Sequence, residues 1–561
     1  MNDQSGEKEN ILAEAENGNP KAQYLLGKSY SEGENGFETD PEKAVFWFRK
    51  SAEQGYPEGE YSLGYCYAAG FGVEQDMAQA LKLYSSAASK GLSAAECDLG
   101  FAYFNGLGVS ENKSEAVRWF RKAAEKGEVN AEYNLGYCYA CGEGVTQNYN
   151  EAVRWYRKAA DHGHGDAMCN LGLCCKNGMG YPQDYVEAVR WFRKAAEQDH
   201  SAAQYNLGYC YACGEGVSRD PAEAVHWYRL AAEQENHDAE CNLGLCYEQG
   251  MGVPQDYAEA VRWYQKAAEH GNESAEYNVG LCYANGHGVP QDFSEAVRWY
   301  LLAAEHGLPE AEYNLGCCYV NGTGVDQNYS EAVKWFRRSA EQGYLIAEYN
   351  LGTFYDGGYG VPQDSAEAAR WYSRAAEQGL AQAQFSYGVC CEMGRGVPQD
   401  LCQAVYWYRL AAKQGEGSAQ INLGLCLTDG RGTDQNKTEA VHWFRAAAEQ
   451  GLSGAQQSLG CCYANGEGVP QDYAEAVRWF RKAADQGNSF AQFYLGSCAE
   501  SGCGLAQDTS EAVKWYRLAA NQGLSSAQKA LANCYANGIG VPQDFMEADF
   551  WNRKAEENGE D

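Results

Sequence analysis

The sequence predicts an all-α solenoid of about 15 helix–turn–helix repeats of 36 residues. Three observations predict it. Tryptophan recurs every 36 residues from Trp119 to Trp551, with Trp47 leading the series. A glycine, usually following leucine, keeps its own register from Gly27 to Gly496, and Ala532 takes its place in the last repeat. Between these marks, apolar residues at helical spacing alternate with glycine-, proline- and aspartate-bearing loops. Self-similarity at such a period signals stacked units that bury their faces only against their neighbours. The repeat after Trp47 lacks the tryptophan, and Tyr84 is read as its replacement.

The stretch from Ala275 to Gly307 justifies each element in turn. A first helix is expected over residues 274–284, where Ala275, Val279 and Tyr283 recur at i, i+4 and i+8 as a core stripe. Gly280 falls inside it, where glycine costs about 1 kcal/mol relative to alanine. Close approach of the second helix, under the tryptophan, is the expected compensation. Asn285-Gly286-His287-Gly288 then ends the helix and turns the chain, because glycine supplies left-handed backbone. Asp292-x-x-Glu295 resembles a capping box that opens a second helix. Ala296, Trp299, Tyr300 and Ala303 give that helix its apolar side, and Gly307 closes it. Residues 1–21 are read as an N-terminal capping helix, and residues 22–561 as one continuous array.

Composition narrows the class. The net charge of −33, from 77 acidic and 44 basic residues, is spread along the chain and repels phosphate backbones, so nucleic-acid binding is not expected. The same charge keeps a long, surface-rich chain soluble, and a basic partner is the sharper alternative. No apolar run approaches the length of a membrane helix, and the N-terminal residues lack a secretory pattern, so a cytoplasmic chain without membrane insertion is expected. Twelve of the 23 cysteines sit two residues after the repeat glycine. Stacked equivalents lie roughly 10 Å apart, beyond the span of a disulfide, so they read as small buried hydrophobes.

The string LGxCYxxGxGVPQDxxEAVRWxRKAAEQG resembles the Sel-1-like repeat, a relative of the tetratricopeptide repeat, over essentially the whole chain. Asp199 and Glu235 depart from it by replacing the closing glycine. The resemblance implies a right-handed superhelix of stacked helix pairs and a role as a protein–protein scaffold or adaptor. Some relatives have been linked to β-lactam binding or hydrolysis, which ordinarily needs SxxK with SDN and KTG elements. Ser110-x-x-Lys113 and Ser526-x-x-Lys529 occur without either companion.

Other chemical motifs are weak. Gly27-Lys28-Ser29 satisfies a relaxed phosphate-loop pattern, but it lies inside a repeat's first helix. Cys138-x-x-Cys141 and Cys210-x-x-Cys213 stand two repeats apart, too far to converge on one zinc ion. His162, His164 and Asp166 gather at a repeat junction and read as a solvated loop rather than a metal site. No cofactor or metal is expected, and no catalytic residue.

If the first helices line an inner surface, as related repeats imply, their side away from the core is the candidate partner-binding face. It carries Tyr133, Asn134 and Tyr137; Tyr205, Asn206 and Tyr209; Tyr277, Asn278 and Asn285; Tyr313, Asn314 and Asn321; and Tyr349 and Asn350. Asparagine amides can clamp the backbone of an extended peptide while tyrosine supplies rigid contact area. Against this, each Asn could satisfy a neighbouring repeat and each Tyr could fill a seam. Correspondences at 72 residues, such as Cys169 with Cys241 and Met179 with Met251, point to duplication of whole repeats, which lengthens a surface more readily than it builds a catalytic site. The expected function is a non-enzymatic scaffold for a protein or peptide; a purely structural spacer is the rival reading.

Overall fold

The computed structural model describes residues 4–559, in which 31 α-helices and no strand occur. Two compact bodies are distinguished. One comprises Met1–Ala275 with Gly286–Pro290, and the other Glu276–Asn285 with Gln291–Asp561. Within each body the same helix pair recurs, and helices pack on their sequence neighbours, as Ser93–Asn105 does on Met77–Ser89 and on Lys113–Ala124. The leading helix, Gln4–Glu16, packs on Pro20–Glu32.

The expected first helix over residues 274–284 is Glu273–Asn285, with Ala275 and Val279 wholly buried and Tyr283 half-buried. The loop after the first helix is built by one backbone and two side-chain devices in the repeat at residues 237–272. Gly250 adopts φ 68° and its N–H reaches the Cys246 carbonyl, ending the helix His237–Gln249 in left-handed backbone. Gln255 Nε2 donates to the carbonyl of Glu248 at 2.7 Å, meeting one of the carbonyls that a helix C-terminus orphans. Asp256 then accepts the N–H groups of Ala258 and Glu259 at 3.0 Å each and starts the helix Tyr257–Ala268. The capping box is half formed, since Glu259 turns to Arg262 at 3.1 Å.

Two expectations about aromatic packing are corrected. The helix glycine does not lie under the tryptophan but under the aromatic residue that follows it. A Cβ on Gly280 would stand 2.6 Å from Tyr300, and one on Gly352 2.7 Å from Tyr372. Those rings are the most deeply buried large side chains, Tyr264, Tyr408 and Phe192 among them. Each glycine therefore trades helix propensity for burial of a ring, which is worth about 1.5–3 kcal/mol. The tryptophan instead faces the preceding repeat: Trp119 packs against the cluster of Leu81, Tyr84 and Leu99, and Trp155 joins that of Phe120, Leu135 and Cys138. Tyr84 is likewise not the missing tryptophan. It stands over Gly64 as the ring after it, and Leu83 fills the vacant register.

A buried polar position escaped the sequence reading. Four residues before the repeat glycine stands a buried Glu or Gln in fourteen repeats, and Met168 in the other. Its partner lies 26 residues after the same glycine. Gln414 donates to Gln384 at 2.8 Å, His162 meets Glu132 at 2.9 Å, and Lys126 meets Glu96 at 2.8 Å. The same partner often reaches the closing-glycine carbonyl of the preceding repeat, as Lys126 does with Gly91 and Gln414 with Gly379. One side chain thus ties a helix pair together and fastens it to its neighbour.

Asp199 and Glu235 hold the closing-glycine position at φ 59°, a left-handed conformation that costs a residue with a Cβ about 1–2 kcal/mol. Asp199→Gly and Glu235→Gly are each expected to stabilise the chain by up to about 1 kcal/mol after the added flexibility of the unfolded glycine is discounted. Urea unfolding checks this; a lowered midpoint would show that the acidic side chains do compensating work.

Candidate functional site

The fourteen candidate residues lie on the first helices, and the tyrosines three before the glycine pack against the core clusters rather than facing away from them. Eleven are half-buried, while Tyr137, Asn285 and Asn321 are exposed. Tyrosines three before the glycine lie on the buried rings beneath: Tyr133 on Tyr156 at 6.0 Å, Tyr205 on Tyr228 at 6.0 Å, Tyr277 on Tyr300 at 5.8 Å, and Tyr313 on Phe336 and Tyr349 on Tyr372 at 5.7 Å each. Such tilted pairs add about 0.5–1.5 kcal/mol beyond the area they bury. The asparagines two before the glycine reach back one repeat. Asn314 Nδ2 donates to the Tyr277 hydroxyl at 3.2 Å and Asn350 Nδ2 to that of Tyr313 at 3.5 Å, whereas Asn206 turns to the carbonyl of Ala202 at 2.8 Å. Much of the amide ladder is therefore engaged in seams between repeats.

The row one residue after the glycine is open in three successive repeats of the first body and half-buried at Leu173, Tyr209 and Leu245 beyond them. Tyr65, Phe101 and Tyr137 occupy it in successive repeats and are 57%, 49% and 40% exposed. Beside this row the same cavity recurs. One of about 410 Å³ is walled by Tyr65, Tyr84, Asp98 and Phe101, and the next, about 230 Å³, by Phe101, Phe104, Phe120, Asn134 and Tyr137. In the second body, Ala284, Tyr300, Asn314, Cys317 and Asn321 enclose about 200 Å³ in matching register. Each cavity takes the buried ring and the residue four after the glycine from one repeat, and the amide or acid and the open-row residue from the next.

The chemical motifs disperse. Lys28 pairs with Glu32 at 3.6 Å and Ser29 donates to the Leu25 carbonyl at 3.0 Å, inside a helix. His162 serves Glu132, while His164 Nδ1 accepts the Ala167 N–H as an N-cap and its ring stacks on Tyr133 at 4.6 Å. Burial holds the His164 imidazole below its usual range. Burial pushes the Cys138 thiol up to about 12 and that of Cys210 to about 11, which keeps both protonated and poorly nucleophilic near neutrality. Their exposed mates Cys141 and Cys213 instead hydrogen-bond to Tyr137 and Tyr209. Lys113 of the first SxxK string is held by Glu143 at 2.7 Å. Among the described residues no group of three metal-ligating side chains converges, and no helix is long and apolar enough to cross a membrane.

The Sel1 repeat model matches fifteen consecutive segments spanning residues 20–560. A protective antigen of uropathogenic Escherichia coli that displays an SLR fold is 37% identical, with 81% of this chain and 96% of that one covered and a TM-score of 0.57. A Sel1 repeat protein from Oxalobacter formigenes is 36% identical over 55% of this chain and 90% of its own, with a TM-score of 0.45. No curated protein matches. Proteins built of these repeats generally act as protein-interaction scaffolds rather than enzymes. Fifteen copies of one repeat, fourteen with a glycine under a ring and each with an aspartate or asparagine capping its second helix, place the chain in the Sel1 repeat family.

Proposed function

We propose that the chain is a non-enzymatic scaffold that holds a protein or peptide partner along the first-helix face. The observation that carries this is the recurrence of exposed rings at Tyr65, Phe101 and Tyr137 in three successive repeats, beside cavities whose register recurs in the second body. A spacer has no need of unclad rings repeated at the spacing of its units, whereas rigid aromatic side chains are what a binding surface uses for contact area. Given the seam bonds of the asparagines, the row after the glycine supplies most of the contact, and the Tyr–Asn pairs hold it in place. The net charge of −33 favours a basic partner.

A photo-crosslinking phenylalanine analogue at Tyr137 or Tyr209 is expected to capture proteins from the source cell. The same analogue at Arg190, a second-helix residue whose side chain is 71% exposed, is expected to capture few or none. Equal yields from both helices would sink the first-helix reading.

A further inference from the structure

The seam between the first helices Pro57–Ala69 and Ser93–Asn105 differs from its sisters in charge. Two residues before the glycine, eight repeats carry Asn, and Asp98 is the one carboxylate at that place in the chain. It is half-buried, accepts the Tyr61 hydroxyl at 3.0 Å, and forms no ion pair among the described residues. Burial pushes its carboxyl above the ordinary range even though the Tyr61 bond pulls it down. Asp98 lines the 410 Å³ cavity, whose other walls include Tyr65, Met77, Tyr84, Phe101 and Leu107.

The charged and aromatic parts of this lining favour a cation, and the apolar parts accommodate its stem. A partly desolvated carboxylate with one hydroxyl donor is short of positive charge. Aromatic faces attract ammonium and guanidinium groups. Apolar walls suit the methylene stem that carries such a head group. The next seam also has aromatic walls, but its cavity is smaller and holds Asn134 where Asp98 stands, so it lacks the charge.

We propose that this cavity takes the lysine or arginine side chain of a basic segment of a protein partner. The inference rests on the reading of the first-helix face as the binding face, and it names the chemistry of one of that face's sites.

The probe is the peptide acetyl-Gly-Gly-Lys-Gly-Gly-amide, titrated against the full chain carrying 3-fluorotyrosine at position 65. The isosteric norleucine peptide serves as the uncharged control. A saturable fluorine shift with the lysine peptide is expected, with binding at least tenfold weaker for norleucine. Asp98→Asn, which installs the residue its sister repeats carry, is expected to weaken lysine binding at least tenfold. Asn134→Asp is expected to give a second responsive seam, read from a fluorotyrosine at position 137. Equal affinity for norleucine, an unchanged affinity in Asp98→Asn, or no saturable shift would each overturn the proposal. If cross-linking at Tyr137 and Tyr209 persists while lysine is not distinguished, only this site fails. Loss of cross-linking along the whole face removes the reading on which it rests.

Discussion

Gly396→Ala is expected to destabilise the chain by about 3 kcal/mol or more, the sum of a left-handed residue and a backbone collision. Gly396 is the second loop glycine of its repeat, at φ 71°. A methyl group there would fall on the carbonyl oxygen of Ser365, the first residue of the helix Ser365–Glu377 in the preceding repeat. Backbone at the start of a capped helix cannot swing aside as a flexible side chain can. Gly394, two residues earlier, separates the two contributions. It has φ 67°, but its nearest neighbour to an added Cβ is the Gln399 Cβ at 3.3 Å. Gly394→Ala is therefore expected to cost only about 1–2 kcal/mol, the left-handed penalty. Equilibrium urea unfolding of both variants checks the pair, and hydrogen exchange locates the loss in the repeats around residues 365–396. Equal costs would show that the close approach to Ser365 adds nothing.

This loop glycine was legible as a turn residue, because glycine spacing and left-handed backbone go together. Its contact with the preceding repeat was not, since nothing local marks which carbonyl it meets. The same limit explains the tryptophans. Trp299 and Tyr300 are adjacent, apolar and both periodic, and a helical wheel separates them by only 100°. Rarity drew the reading to Trp299, while Tyr300 covers Gly280. Aspartate N-caps were read correctly because the cap satisfies its own backbone within three residues, as Asp292 does for Ser294 and Glu295. The buried Glu and Gln positions were missed because a polar residue near a core stripe reads as surface. Their signal lies between columns 30 residues apart: Gln384 faces Gln414, whereas Glu96 faces Lys126. Of the candidate face, the side shared by the Tyr and Asn ladders was readable from helical phase. Their engagement across seams depends on how repeats stack, which one repeat's sequence does not contain.

The Gly–ring pairing should make two damaging substitutions partly cancel. Phe336 is wholly buried over Gly316, so Phe336→Ala is expected to cost about 3–5 kcal/mol. Gly316→Ala alone is expected to cost about 1–3 kcal/mol, because a methyl would press on a ring held by its neighbours and the gain in helix propensity is smaller. Together the new methyl enters the space the ring has left, and the helix keeps its propensity gain. The double variant is expected to be at least about 1 kcal/mol more stable than the sum of the two losses, within the coupling seen for residues in contact. The chain contains its own precedent. In the last repeat Ala532 replaces the glycine, and the ring position 20 residues on is Asn552, which is exposed. The two exceptions occur together because each removes the other's constraint. A double-mutant cycle in urea measures the coupling, with exchange protection around residues 309–341 as the local readout. Strict additivity would mean that ring and glycine are independent, and that the shared departure at Ala532 and Asn552 has another cause.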